Sequence, residues 1–133
     1  MPPGIQFRPE LNLIIWKPHG ILDEQVVNKI LAFIRDEEAT SNANELRFTD
    51  TTGLTEIDLN FRYVFHVALY RRLSRKGRPS LKSAFLVEGD AFAHYFKLHA
   101  LLTDHSSLHV KLFKDEKAAA KWLNIPLESL QLV

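Results

Sequence analysis

Between Glu45 and Gly77 the chain carries a strand, a polar loop and a long helix in immediate succession, and this unit restricts it to folds in which strands alternate with helices. Leu46-Arg47-Phe48-Thr49 has strand composition, residues 50–57 read as a polar loop, and Asp58 opens the helix. Within that helix Phe61, Val64, Phe65, Ala68, Leu69 and Leu73 recur at intervals of three and four. The spacing predicts one apolar face turned to the core, with Phe65 buried against the sheet. Asp58 is expected to cap the start and Gly77 to suit the exit. Arg71, Arg72, Arg75 and Lys76 fill the last turns, where the carbonyl end of a helix favours cations, and the run continues to Arg78 and Lys82. It reads as a solvated helix end rather than a nucleic-acid site.

The remaining segments extend the alternation. Ile5-Gln6-Phe7-Arg8 and residues 11–16 read as two strands joined at Pro9-Glu10, the first at an edge and the second central because its end is apolar on both faces. Pro18-His19-Gly20 breaks the second strand, and Asp23 introduces a helix with Val26, Val27, Ile30, Leu31, Phe33 and Ile34 inward. That helix is expected to end in the solvated Arg35-Asp36-Glu37-Glu38, with a loop over residues 40–44. Ala84-Phe85-Leu86-Val87 has the form of a buried parallel strand stopped by Glu88-Gly89-Asp90. A third helix carries Phe92, Tyr95, Phe96, His99 and Leu102; a strand over 108–113 and a helix from Asp115 through Trp122 and Leu123 follow, closed by Asn124-Ile125-Pro126. Each helix is introduced by an aspartate, Asp23, Asp58, Asp90 and Asp115, a pattern that suits capping better than catalysis. The expected fold is α/β, a single-layer, mostly parallel sheet of about five strands with an N-terminal antiparallel hairpin and four helices. One domain is expected over 1–133, with a core at 5–125 and an unassigned apolar tail at 126–133.

Composition narrows the function classes. A net charge of +1 over 133 residues gives no global reason to expect nucleic acid or a membrane surface as partner. The absence of cysteine excludes disulfides, thiolate metal sites and cysteine catalysis. Met1-Pro2-Pro3-Gly4 lacks the basic and apolar regions of a secretory signal, and no apolar run approaches the roughly 20 residues of a membrane span, so a cytoplasmic location is expected.

The order of elements and one motif resemble the STAS family, the sulfate-transporter and anti-sigma-factor-antagonist domains. Asp50-Thr51-Thr52-Gly53-Leu54-Thr55-Glu56-Ile57-Asp58 is similar to that family's Asp-Leu-Ser-Gly-Val-Thr-Phe-Ile-Asp, with both aspartates, the glycine and the isoleucine in place. Leu59-Asn60-Phe61 stands where the family has Ser-Ser-Gly, so Leu59 occupies the phosphorylated position. The closing Phe113-Lys114-Asp115-Glu116 and Ala120-Lys121-Trp122-Leu123 resemble a STAS-like branch of bacterial proteins. The resemblance implies a non-enzymatic binding or regulatory protein acting on a protein partner, without the phosphoserine switch. Its alternative is a small carrier of apolar or anionic ligands, lipids included, because in the related CRAL-TRIO fold aromatics like Phe61, Phe65, Phe92, Tyr95 and Phe96 line a cavity. Core packing is the preferred reading of those aromatics, since a short chain has few apolar residues to spare. Homo-oligomerisation is left open.

Parallel α/β folds bind ligands at the carboxyl edge of the sheet, where the expected site comprises Asp50, Thr51, Thr52, Thr55, Asp58 and Asn60. These residues have the oxygen chemistry to coordinate a hard cation or meet a partner, and the same composition serves a turn. No metal or other cofactor is expected. No His-x-x-x-His pair lies on one predicted helix, since His105 and His109 flank the start of the last strand; neither a Walker loop nor a Gly-x-Gly-x-x-Gly pattern occurs, and no serine lies in a nucleophile elbow.

Overall fold

The computed structural model describes residues 3–40, 45–90 and 92–131. Strand β1 (Ile5–Arg8) and β2 (Leu13–Trp16) form the antiparallel hairpin, joined by a single 3-10 turn over Pro9–Leu11. Next come β3 (Gly20–Asp23), α1 (Glu24–Thr40), β4 (Glu45–Asp50), β5 (Leu54–Asp58) and α2 (Phe61–Ser74). The chain continues through β6 (Leu81–Leu86), α3 (Ala93–Leu102), β7 (Leu108–Phe113) and α4 (Glu116–Leu123). The main sheet has the order β1-β2-β4-β6-β7 and is parallel from β2 onward, as the alternation predicts.

Strand periodicity of two divides the side chains between two layers. Leu13, Ile15, Phe48, Ala84 and Leu86 face α4, whose Ala119, Ala120 and Leu123 close over them. The opposite face carries Trp16, Phe85 and Leu112 and is covered by α1, α2 and α3. The C-terminal tail takes part in the first layer: a 3-10 turn over Leu127–Leu130 places Leu130, 0 % exposed, in that core.

Several expectations are corrected. The polar loop over 50–57 is in part a strand, because β5 pairs in parallel with β3 as a separate two-stranded ribbon. Leu54 and Ile57 are buried through that pairing, whose partner lies about thirty residues earlier and has no local signature. Gly53 precedes it, and a methyl group there would lie 2.7 Å from the His19 ring and 3.1 Å from the Pro18 carbonyl oxygen, so the two segments approach closely at this glycine. Helix α2 begins after Asn60, not Asp58: the Asn60 side chain accepts from the Tyr63 N–H at 2.8 Å, while Asp58 ends β5 opposite Asp23. Asp23 and Asp115 do accept from first-turn amides, at 3.0 and 2.7 Å. Asp90 contributes only its carbonyl oxygen, to the Ala93 N–H. Helix α1 continues through Thr40, so the expected loop at 40–44 begins inside a helix and its residues 41–44 lie outside the described residues.

The face of α2 is the largest correction. Phe61, Phe65, Leu69 and Leu73 are exposed, Phe65 at 47 % and Leu73 at 63 %. The buried stripe is Val64, Ala68, Arg71 and then Arg75, two of them cationic. Arg71 and Arg75 are therefore not part of a solvated helix end, and Glu38, expected in solvent, is 6 % exposed beneath them.

Candidate functional site

A cavity of about 140 Å³ lies between the main sheet and helices α1, α2 and α3. The central strands furnish its floor, with Ile14 and Trp16 from β2, Thr49 from β4 and Phe85 from β6. Its walls are Ile30 and Ile34 of α1, Val64 and Val67 of α2, and Tyr95 and Phe96 of α3. Phe85 and Phe96 stack at 5.2 Å between ring centres, an offset pairing that holds the aromatic wall in place. Of the aromatics named from the sequence, Tyr95 and Phe96 line the cavity; Phe61 instead stacks on Tyr95 from outside, at 5.3 Å. The apolar residues are thus disposed around a space, contrary to the expectation that all of them pack.

One end of the cavity is charged. On β4 the alternation that turns Leu46 and Phe48 to α4 turns Glu45, Arg47 and Thr49 to the cavity layer, where the ladder sets Arg47 between Ile14 of β2 and Ser83 of β6. Arg47 donates from Nη2 to Glu45 Oε2 and from Nη1 to the Leu46 carbonyl at 2.9 Å. Glu38, near the end of α1, meets Arg71 Nη2 at 2.7 Å and Arg75 Nη1 at 2.9 Å. Arg75, 0 % exposed, also donates to the Pro79 carbonyl. Burial works against the Glu38 carboxylate, yet the Arg71 charge and hydrogen bonds from Arg71 and Arg75 more than offset it and hold its pKa below the ordinary value. Arg47 is shifted down, chiefly by burial, against the attraction of Glu45 and Glu38. His99 of α3 lies edge-on to Phe85, with ring centres 6.0 Å apart, and lines the cavity. Burial, and secondarily the Arg71 charge, push it down to about 4, so the ring is neutral near pH 7.

The residues expected at the carboxyl edge have separate local roles. Asp50 ends β4, and its Oδ1 accepts from the Thr52 N–H at 2.9 Å and the Thr52 hydroxyl at 2.7 Å, with Lys17 Nζ 3.9 Å from Oδ2. Thr51 is buried, donating its hydroxyl to the Leu86 carbonyl at 2.6 Å. Thr52 is exposed beside that turn, Thr55 and Asp58 are exposed on β5, and Asn60 caps α2. The structure therefore ties Asp50 to Thr52, and spreads Thr55, Asp58 and Asn60 along the ribbon and helix start. Leu59, at the position of the family's phosphoserine, lines the cavity. Among the described residues, no group of three or more His, Cys, Asp or Glu could hold a metal ion, and no helix is long and apolar enough to cross a membrane.

Sequence reading missed the charged end. Its signal is the alternation Glu45-Leu46-Arg47-Phe48 in a strand that is central, so that the polar face must be buried and its charges paired. No family profile matches the sequence, and no curated protein matches it. Among solved structures it is similar to an uncharacterised protein of the DUF3478 family from Shewanella loihica, which has a SpoIIAA-like fold. The likeness covers 90 % of each chain at 17 % identity, with a TM-score of 0.60. The fold is SpoIIAA-like. This STAS-like architecture agrees with the resemblance read from residues 50–58, while the identity is too low to carry an activity across. In the SpoIIAA-like fold of this chain, the carboxyl-edge loop and the cavity are distinct places that α2 connects, the loop at its start and the cavity along its buried side.

Proposed function

We propose that the protein acts by binding a small, largely apolar molecule in the cavity under α1, α2 and α3, as a carrier or sensor rather than as an enzyme. The cavity is the observation that supports this. Interiors are packed to crystal-like density, so a largely apolar, partly open space of about 140 Å³ among the helices and sheet forgoes dispersion contacts that a ligand would supply. An apolar cavity of about 150 Å³ is known to take up benzene, which sets the scale of the ligand.

Trp16 lines the cavity whereas Trp122 packs on the α4 side, so Trp122→Phe leaves a reporter of occupancy. Titration of that variant with small aromatic and branched aliphatic compounds should change Trp16 emission and raise the thermal midpoint. Filling the space with Val67→Phe should abolish both effects. If no compound of this size moves either signal, the cavity is not a binding site.

A second reading has its own observation: the exposed stripe Phe61, Phe65, Leu69 and Leu73 on α2 begins beside Thr55, Asp58 and Asn60. An apolar patch with a polar head suits a protein partner, the regulatory role that the STAS resemblance implies. Capture of a specific partner from the native cell should be lost in Phe65→Ser. Equal capture by the folded variant would remove this reading.

A further inference from the structure

We infer, building on the cavity reading, that the ligand is a small amphipathic monoanion of about benzoate size, its negative head at Arg47 and Arg71 and its apolar body against Trp16, Phe85 and Phe96. Charge counting leads there. Among the described residues, the ion pairs of these buried side chains join Arg47, Arg71 and Arg75 to Glu38 and Glu45, three cations to two anions, an excess of one positive charge within that set. All five side chains are more than nine-tenths buried, so water does not screen that excess. Arg47 and Arg71 both line the cavity. Guanidinium groups at a cavity wall are matched by a carboxylate, which would supply acceptors together with negative charge. Ser83, opposite Arg47 on β6, adds a hydroxyl to the same wall. His99, kept neutral by burial and secondarily by the Arg71 charge, adds no further positive charge to the cavity wall, which suits a monoanion. The volume limits the body to a single ring or a short branched chain; a long acyl chain does not fit a cavity of about 140 Å³.

Calorimetric titration of the whole chain with benzoate, with its neutral counterparts benzyl alcohol and benzamide, and with acetate as the head alone tests this. Benzoate should bind about ten- to hundredfold more tightly than either neutral ring, the worth of charge-assisted hydrogen bonds, and acetate more weakly than benzoate. In Arg47→Met the preference for benzoate over benzyl alcohol should fall to near unity. Neutral rings binding as tightly as benzoate would overturn the charge assignment and leave the cavity reading standing. Acetate binding as tightly as benzoate would overturn the apolar body. No binding by any of them would remove both readings. If Arg47→Met does not fold, the comparison of the ligands on the unaltered protein still decides.

Discussion

Arg75 shows how unevenly single side chains contribute here. It is fully buried, and its removal would take from the buried Glu38 Oε2 and from the Pro79 carbonyl the donors that Arg75 supplies. Breaking such a group from one side costs roughly 3–5 kcal/mol, so Arg75→Ala should shift the urea midpoint far below the parent's. Phe65, which looks like a core residue from its spacing, should behave otherwise. With half its surface exposed, Phe65→Ala is expected to cost under about 1 kcal/mol. Ala68→Leu, at a position with no exposed surface, should cost about 1–3 kcal/mol through overpacking. Thermal or urea unfolding of the pair ranks them, and the reverse order would mean that α2 presents its other face. His99 gives a pH signature. Its folded value of about 4 lies below the ordinary 6.5, so the unfolded chain binds more protons between these values and stability falls as pH drops through that window. The loss is at most about 3 kcal/mol, and His99→Phe should remove its part of the slope between pH 7.5 and 5. Glu38, with its depressed carboxyl, loses its contribution only at lower pH, so the range separates the two.

Elements differ in how far their residues announce them. Strands β6 and β7 and helix α4 were legible because each carries its own signal: an apolar run between turn residues, or an aspartate cap and a left-handed Asn124 at φ 59°. Ribbon β3–β5 was not, since Gly20, Leu54 and Ile57 gain strand character only from one another. Helix α2 was half legible. Its presence follows from the spacing, but its start depends on which polar residue the backbone uses, and Asn60 does so. Asn60→Ala should lower stability by about 1 kcal/mol, whereas Asp58→Ala should leave it nearly unchanged; equilibrium unfolding of the two variants checks the assignment. The carboxyl-edge residues were legible as a cluster in sequence, while the cavity was not, because its lining comes from nine elements and its charged end from three.

At the scale of the whole molecule, α2 could be laid on the sheet in two ways. Turned so that Phe61, Phe65, Leu69 and Leu73 face inward, it would bury the more apolar stripe, and Glu38 and Glu45 would keep Arg47 of β4 but lose Arg71 and Arg75. Replacing Glu38, Glu45, Arg47, Arg71 and Arg75 together by methionine should therefore do less harm to stability than Arg75→Ala alone. It should also broaden or double the amide resonances of α2, as both dockings become populated; one sharp set of resonances would show that shape alone selects the face. The buried ions thus work as a key. They make the competing arrangement expensive, widening the energy gap between one native packing and its nearest rival, and so release four large apolar side chains from the duty of holding the fold together.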